Sequence, residues 1–159
     1  MAEKTRWRIR PATAADRAFL EQLAPRLTIG IPPWRSREAM LATVRGWLLE
    51  NLDGMGADGT IFIAEDADGT PVGAATVERS AHFTGAPQGE LGELAVIEPV
   101  EGQGVASLLL AAAEDWAREQ GLHFLALGTG TANTRARAFY ARDDYQEEDI
   151  RLARALEPN

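Results

Sequence analysis

The stretch from residue 89 to residue 120 constrains the fold more than any other part of this chain. Its sequence is GELGELAVIEPVEGQGVASLLLAAAEDWAREQ, which predicts an apolar strand, a glycine-containing turn and then a helix that ends before Gly121. Pro99 ends the strand because it cannot donate a ladder hydrogen bond. A second apolar strand follows at Phe124 to Leu127. A connection of this length through a helix predicts that the two strands run parallel.

The start of that helix predicts an anion-binding site. Gly104 and Ala106 carry no bulky side chain, so a ligand has room to approach the unpaired N–H groups there. These donors and the positive end of the helix dipole favour a negatively charged group. We therefore expect this turn to hold a phosphate-bearing cofactor. The buried stripe of the helix is expected to comprise Val105, Leu108, Leu109, Ala112 and Trp116.

Two segments resemble signatures of the GNAT family, whose members move an acetyl group from acetyl-CoA to an amine. Residues 101–106, EGQGVA, fit the family pattern [Q/R]-x-x-G-x-[G/A] except that Glu101 replaces Gln or Arg. Residues 133–145, NTRARAFYARDDY, resemble N-x-x-A-x-x-[F/L]-Y-x-x-x-G-F, with Asp144 and Tyr145 in place of Gly and Phe. The two segments also occur in the family's order.

The resemblance implies an α/β fold, classed as α+β in some schemes. Its centre would be a mixed, mostly antiparallel sheet of six or seven strands, splayed between strands 4 and 5, with about four helices on both faces. In the family the splayed strands form a slot in which the pantetheine arm of CoA bonds to a free backbone edge, here Leu94 to Val96. We expect a single domain over residues 1–159, because this length can bury one substantial core and 45% apolar residues argue against disorder.

The resemblance also implies which residues bind acetyl-CoA, with no metal involved. Glu101 brings a negative charge to the turn, so we expect its side chain to face solvent while backbone amides hold the diphosphate. Asn133 at the start of the last helix is a candidate cofactor contact and also a plain N-cap. The expected cofactor-binding residues are Leu94, Ala95, Val96, Glu101, Gly102, Gln103, Gly104, Val105, Ala106, Ser107, Asn133, Ala136 and Tyr140.

The chemistry needs a base and an acid. A lysine-type amine has a pKa of about 10.4 and must lose a proton before it attacks a thioester. Glu90 matches by its position the strand glutamate that one branch of the family uses as base, whereas Glu93 lies nearer the expected thioester. Their odd spacing predicts opposite faces of a regular strand, so only one of them should see the slot. His82 is a more distant candidate, and the motif places Tyr140 as the acid that protonates the leaving thiolate.

The segments outside these motifs predict the remaining helices and strands and a candidate residue of the pocket for the amine acceptor. Trp34, beside two prolines, is a candidate residue of the acceptor pocket; the alternative is that it covers a helix end. Residues Tyr145 to Leu156 predict one long strand, whose exposed edge would favour a homodimer. The remaining predicted elements are a strand at residues 7–9, helices after Thr13 and Ser36, and a hairpin of residues 60–65 and 71–78.

Composition excludes several functional classes. The chain has no cysteine, which rules out disulfides, thiolate metal sites and a cysteine nucleophile. Its net charge of −8 disfavours binding to nucleic acid or to anionic membranes and suits an amine substrate. No apolar run is long enough to span a membrane, and the start, MAEKTRWRIR, lacks the apolar region of a secretory signal. We therefore expect a cytoplasmic protein.

The motifs of several other ligand-binding families are incomplete or absent in this sequence. Gly102-x-Gly104-x-x-Ser107 lacks the third glycine of a dinucleotide-binding turn, and no Gly-Lys-Ser/Thr of a Walker loop is present. Asp66-x-Asp68-Gly69 lacks the other ligands of a calcium loop. A CoA-binding or interaction module without activity stays the alternative to the enzyme, because both motifs depart from the family pattern. The acceptor is left open among small polyamines, aminoglycosides, amino acids, peptide N-termini and protein lysines.

Overall fold

A five-stranded sheet of order β1-β2-β3-β4-β5 forms the centre of the molecule. The computed structural model describes residues 6–157, so the first five residues of the segment MAEKTRWRIR, which is expected not to be a secretory signal, lie outside it. Strands β1 to β4 pair antiparallel, and β5 pairs parallel with β4, which confirms the mixed, mostly antiparallel sheet. The strands are β1 Arg8–Pro11, β2 Gly59–Glu65, β3 Pro71–Ala81, β4 Pro87–Val96 and β5 Leu125–Leu127.

Four α-helices cover the two faces of the sheet, as expected. On one face, Leu20 and Leu48 pack with Ile61 of β2 in one buried cluster; on the other, Leu109 packs with Val77 of β3. The Ser36 hydroxyl starts the second helix by accepting a hydrogen bond from the Ala39 N–H at 3.1 Å. The helices are α1 Arg17–Leu23, α2 Arg37–Asp53, α3 Val105–Glu119 and α4 Thr134–Arg142.

The slot between β4 and β5 results from the short length of β5. The two strands pair only from Gly89 to Leu91, opposite Leu125 to Leu127. Beyond Leu91, β4 continues to Val96, and no other strand of residues 6–157 pairs with it on that side. The expected splay between strands 4 and 5 is therefore confirmed.

Three predictions about the fold are wrong. Residues 6–157 form five strands rather than six or seven, because the predicted C-terminal strand does not form: residues 146–157 adopt neither helix nor strand. Leu152 and Leu156 on this segment are each 88% exposed. A strand needs a ladder partner for its backbone groups, and this segment has none within the described chain. The homodimer inferred from that strand stays a prediction.

The third wrong prediction is the set of α3 residues that are buried. Leu108 is 41% exposed, whereas Leu110, Ala113 and Ala117 are buried. Apolar residues occur on both flanks of the predicted stripe, so the contact with the sheet, and not the periodicity, decides which flank is covered. None of the helices in the described part of the chain is long and apolar enough to cross a bilayer.

Candidate active site

A β-bulge in β4 shapes the centre of the site. Leu91 pairs with Val77 and Leu94 pairs with Ala75, so Gly92 and Glu93 together oppose the single residue Thr76. The Thr76 hydroxyl holds this arrangement by accepting a hydrogen bond from the Glu93 N–H at 2.9 Å and donating one to Glu93 Oε2 at 2.7 Å. A Cβ at Gly92 would lie 2.7 Å from Thr76 Oγ1, so the bulge has room only for glycine there.

The bulge brings Glu90 and Glu93 to the same side of the sheet. The expectation that only one of them sees the slot is wrong, because the extra residue resets the alternation of side chains along β4. Both carboxylates line one cavity of about 480 Å³, which also reaches Gly128 at the end of β5. The cavity therefore lies where β4 and β5 separate.

The walls of this cavity are acidic. Four carboxylates line it, from Glu50 of α2, Glu78 of β3 and the two β4 glutamates, and none of the lining residues within 6–157 is Lys or Arg. Glu78 is the register partner of Glu90 on the neighbouring strand, so two like charges face each other across the ladder. The other lining residues are Trp47, Asn51, Thr76, Val77, Leu91, Gly92 and Gly128.

Burial raises the pKa of both candidate bases. For Glu93, which is 7% exposed, desolvation is the largest cause; the Thr76 hydroxyl opposes it, and the charge of Glu78 adds to it. For Glu90, burial again comes first and the charge of Glu78 second, while a hydrogen bond from Gln88 lowers the pKa. Both carboxylates are thus more basic than an ordinary glutamate.

The turn before α3 offers an open backbone surface. Gly102 and Gly104 have φ values of 73° and 86°, and an added Cβ at either would meet no atom within 4 Å. The first helical hydrogen bond runs from the Leu108 N–H to the Gly104 carbonyl at 3.2 Å, so the three N–H groups of residues 105–107 precede the helical ladder. The Gln103 side chain folds back onto the Pro99 carbonyl at 3.0 Å and braces the turn.

Glu101 does not face solvent, contrary to expectation. Its carboxylate forms ion pairs with Arg26, from the 3-10 segment Ala24–Thr28, and with Arg135 in the first turn of α4. Only 22% of the Glu101 side chain is exposed. The attraction of two guanidinium groups, neither of which belongs to residues 101–106, outweighs hydration of a single carboxylate here.

The backbone edge of β4 is only partly free. The Ile97 N–H bonds to the Val72 carbonyl of the neighbouring segment at 2.9 Å. The Val96 carbonyl belongs to the same trans peptide and therefore points the opposite way, towards the slot. There it accepts a hydrogen bond from Arg26 Nε at 3.2 Å. Leu94 and Ala95, the other two expected edge residues, are half-buried beside it.

Asn133 joins the start of α4 to the segment that follows Arg26. Its Oδ1 accepts from the Ala136 N–H at 3.1 Å, which is the expected N-cap, and its Nδ2 donates to the Ile29 carbonyl at 3.4 Å. Gly30, with φ of 83°, packs so tightly that a Cβ would lie 2.4 Å from Asn133 Cβ. The segment from Arg26 to Gly30 thus crosses from β4 to α4.

Tyr140 lies on α4 with its ring among aromatic neighbours. It contacts Phe139 and Tyr145 edge to face, with ring centroids 5.1 and 5.6 Å away. Burial raises its pKa to about 12, so the hydroxyl keeps its proton at neutral pH. Within residues 6–157 this hydroxyl makes no side-chain hydrogen bond, whereas that of Tyr145 donates to Glu114 at 2.9 Å.

The departures at Asp144 and Tyr145 keep the physical role of the family's Gly and Phe. Asp144 has a left-handed φ of 63°, and the hydrogen bonds from Tyr145 N–H to the Tyr140 carbonyl and from Asp144 N–H to the Ala141 carbonyl form a Schellman motif. The contact between the Tyr145 and Tyr140 rings is the apolar contact that usually accompanies this motif. Asp tolerates this conformation better than most residues other than glycine.

Sequence reasoning missed several residues of the site. Thr76, Glu50, Glu78 and Arg26 lie outside both motifs. The acidic composition of the chain was the signal for an acidic site. Trp47 of α2 also lines the cavity and is 51% exposed. Trp34 is 62% exposed and is not among the lining residues, so its role as a pocket residue stays a prediction. His82 lies at the β3–β4 hairpin with its ring bonded to Thr84.

Comparison with known proteins points to one family. A model of the acetyltransferase (GNAT) family matches residues 20–145. Aminoglycoside N(6')-acetyltransferase type 1 of Stenotrophomonas maltophilia is 30% identical over 157 residues, which cover 95% of each chain. Aminoalkylphosphonate N-acetyltransferase of Salmonella typhimurium is 40% identical over 68 residues, 43% of this chain and 44% of that enzyme.

The fold is also similar to that of a solved acetyltransferase. The aminoglycoside acetyltransferase AAC(6')-Iy, in complex with the bisubstrate analogue CoA-S-monomethyl-acetylneamine, superimposes with a TM-score of 0.70. The match covers 95% of this chain and 99% of that one at 23% sequence identity. At this identity the similarity concerns the fold alone.

Proposed function

Because this chain belongs to the acetyltransferase (GNAT) family and is an acetyl-CoA-dependent N-acetyltransferase, we propose that it acetylates an amine bearing several positive charges. The amine attacks the thioester carbonyl of acetyl-CoA directly, and the chain has no cysteine that could carry the acetyl group. Aminoglycosides are the first class to test, since a relative matched over 95% of its length carries that name.

The acidic cavity is the observation that carries this proposal. Four carboxylates line about 480 Å³ at the point where β4 and β5 separate, and no Lys or Arg from the described part of the chain lines the cavity to neutralise them. Like charges at the register pair of Glu78 and Glu90 destabilise the free protein, and an ammonium group between them would relieve that repulsion. A substrate with several ammonium groups gains more from this wall than one with a single group.

We assign the general base to Glu93. It lies next to the unpaired part of β4, where the thioester arm would bind, and Thr76 fixes one of its oxygens while leaving the other for the amine. Its raised pKa suits a group that must accept a proton near neutrality. Glu90 pairs with Ala126 further from the free edge, so its role would be to bind an ammonium group of the acceptor.

Tyr140 is the proposed acid. Its hydroxyl keeps its proton at neutral pH and is not committed to a side-chain partner in the described chain, so it can donate to the sulfur as the carbon–sulfur bond breaks. Acetyl-CoA supplies the acetyl group and the thiolate that leaves. The residues that would hold it are the open turn at Gly102 and Gly104 and the β4 edge, and they fit a diphosphate followed by an extended amide-containing arm.

The first experiment compares acceptors by the release of CoA thiol. Neamine, which carries several amines, should exceed glucosamine, which carries one, by about 100-fold in kcat/KM, since about 1 kcal/mol per additional ammonium group is expected near exposed carboxylates. The difference should shrink as salt is added. Equal kcat/KM for the two amines at low salt would contradict the proposal.

The second experiment separates the roles of the two glutamates. Glu93→Gln should lower kcat by about 100-fold or more, because general base catalysis contributes at least that factor. Glu90→Gln should mainly raise KM for the amine. Glu119→Gln, an exposed residue at the end of α3, is the control that removes an equal charge. A Glu93→Gln enzyme as active as this control would exclude Glu93 as the base.

A third variant tests the acid. Tyr140→Phe should lower kcat while the affinity for CoA stays the same.

A further inference from the structure

We propose that Arg26 and Arg135 bind the diphosphate of acetyl-CoA in this protein, in place of the Gln or Arg that the family pattern has at the position of Glu101. The inference rests on the proposed function, because it requires CoA to occupy the slot at β4. It adds two cofactor-binding residues that lie outside the glycine turn, one of them more than 70 residues away in sequence.

The geometry places both guanidinium groups at the turn. Glu101 is the first residue of the turn, and its two oxygens pair separately with Arg26 of the 3-10 segment Ala24–Thr28 and with Arg135 of α4. Each guanidinium has five N–H donors, so an ion pair with Glu101 leaves donors free for phosphate oxygens. Arg135 is 69% exposed and Arg26 is 28% exposed, so both can be reached from the open side of the turn.

The charge at the turn supports the same inference. Two guanidinium groups and one carboxylate give a formal net charge of +1 at this point. An arginine at the first motif position would supply the same charge. The acidic residue therefore does not reverse the field near the α3 N-terminus, and it holds in place the two cations that a diphosphate needs.

Arg26 also bonds to a group that the cofactor needs. Its Nε donates to the Val96 carbonyl, which faces the slot where the pantetheine arm would add to the edge of β4. When CoA binds, we expect Arg26 to leave this carbonyl to a pantetheine amide and to turn to the diphosphate. Loss of Arg26 should therefore weaken only the part of CoA binding that comes from phosphate.

The test measures dissociation constants for CoA and for pantetheine, which lacks the diphosphate. Arg26→Ala and Arg135→Ala should each weaken CoA binding by about tenfold or more, since a hydrogen bond to a charged group contributes about 1.5 kcal/mol or more. Neither substitution should weaken pantetheine binding. Arg137→Ala is the matched control, because Arg137 lies on the same helix and pairs with Glu147 away from the turn, and its loss removes the same charge.

The binding constants decide whether the two arginines bind the diphosphate. CoA affinities of Arg26→Ala and Arg135→Ala equal to that of Arg137→Ala would overturn the inference. Equal losses for CoA and pantetheine would show that the arginines only support the fold of the slot, which would also overturn it. If the wild-type protein bound no CoA, the proposed function itself would fail first. Arg135 is exposed enough that its variant should fold even if Arg26→Ala does not.

Discussion

Replacing Thr76 with valine tests the bulge and the candidate base together. Valine has nearly the same shape but lacks the hydroxyl, which bonds to both the carboxylate and the backbone N–H of Glu93. A hydrogen bond to a charged group contributes about 1.5 to 3 kcal/mol, and a buried N–H left unpaired costs about 1 to 3 kcal/mol. Because the two bonds share one residue they are not additive, and we expect a loss of about 3 kcal/mol in the free energy of unfolding at neutral pH.

The loss should depend on pH in a defined direction. Burial raises the pKa of Glu93 in the folded protein, so the folded protein becomes less stable as pH rises and this carboxyl ionises. The Thr76 hydroxyl is the contact that lowers this pKa, and its removal raises the pKa further. The unpaired Glu93 N–H costs the variant the same free energy at every pH. The deficit of Thr76→Val should therefore be smallest below the ordinary glutamate pKa of about 4.3 and grow towards neutrality by the part that comes from the hydrogen bond to the ionised carboxylate.

Urea unfolding of both proteins between pH 4 and pH 8 measures this deficit. Thr43→Val is the control, since Thr43 is an exposed α2 residue whose hydroxyl bonds only to the Ala39 carbonyl at 2.9 Å. If Glu93 is the base, the acid limb of kcat/KM should also move to higher pH in Thr76→Val. A deficit that does not change with pH would refute the view that Thr76 stabilises the ionised carboxylate.

Two further predictions concern backbone conformation. Gly92→Ala should destabilise the protein by about 1 to 3 kcal/mol, because the new Cβ would lie 2.7 Å from Thr76 Oγ1. Gly46→Ala inside α2 is the comparison: a Cβ there meets nothing within 4 Å, so it should stabilise the protein by about 0.5 to 1 kcal/mol. Chemical denaturation measures both, and equal effects would contradict the close contact at the bulge. Asp144→Gly should stabilise the protein by about 0.5 kcal/mol, because it removes about 1 kcal/mol or more of left-handed backbone strain, while the greater conformational entropy of glycine in the unfolded chain cancels part of this gain. A lower thermal midpoint for Asp144→Gly than for wild type would contradict the assignment of a Schellman motif.

Local sequence determined much of the fold. The hairpin of β2 and β3, the cap at Ser36, the parallel pairing of β4 with β5 and the open turn at Gly102 and Gly104 depend on residues close together in the chain, where turn chemistry and periodicity act. The motif at residues 133–145 likewise predicted α4, and its substitution at Asp144 preserved the helix end. For the same reason the candidate cofactor turn could be found from the sequence.

Only the tertiary structure decided how those parts form a site. The bulge depends on which residues of β3 oppose Glu93, and this pairing, not the spacing along β4, puts Glu90 and Glu93 in one cavity. Glu101 pairs with Arg26 and Arg135 from two distant segments, and no local pattern predicts such a contact. Burial and charge pairing are properties of neighbours in space, so residues far apart in sequence determine which carboxylates are basic and which are neutralised.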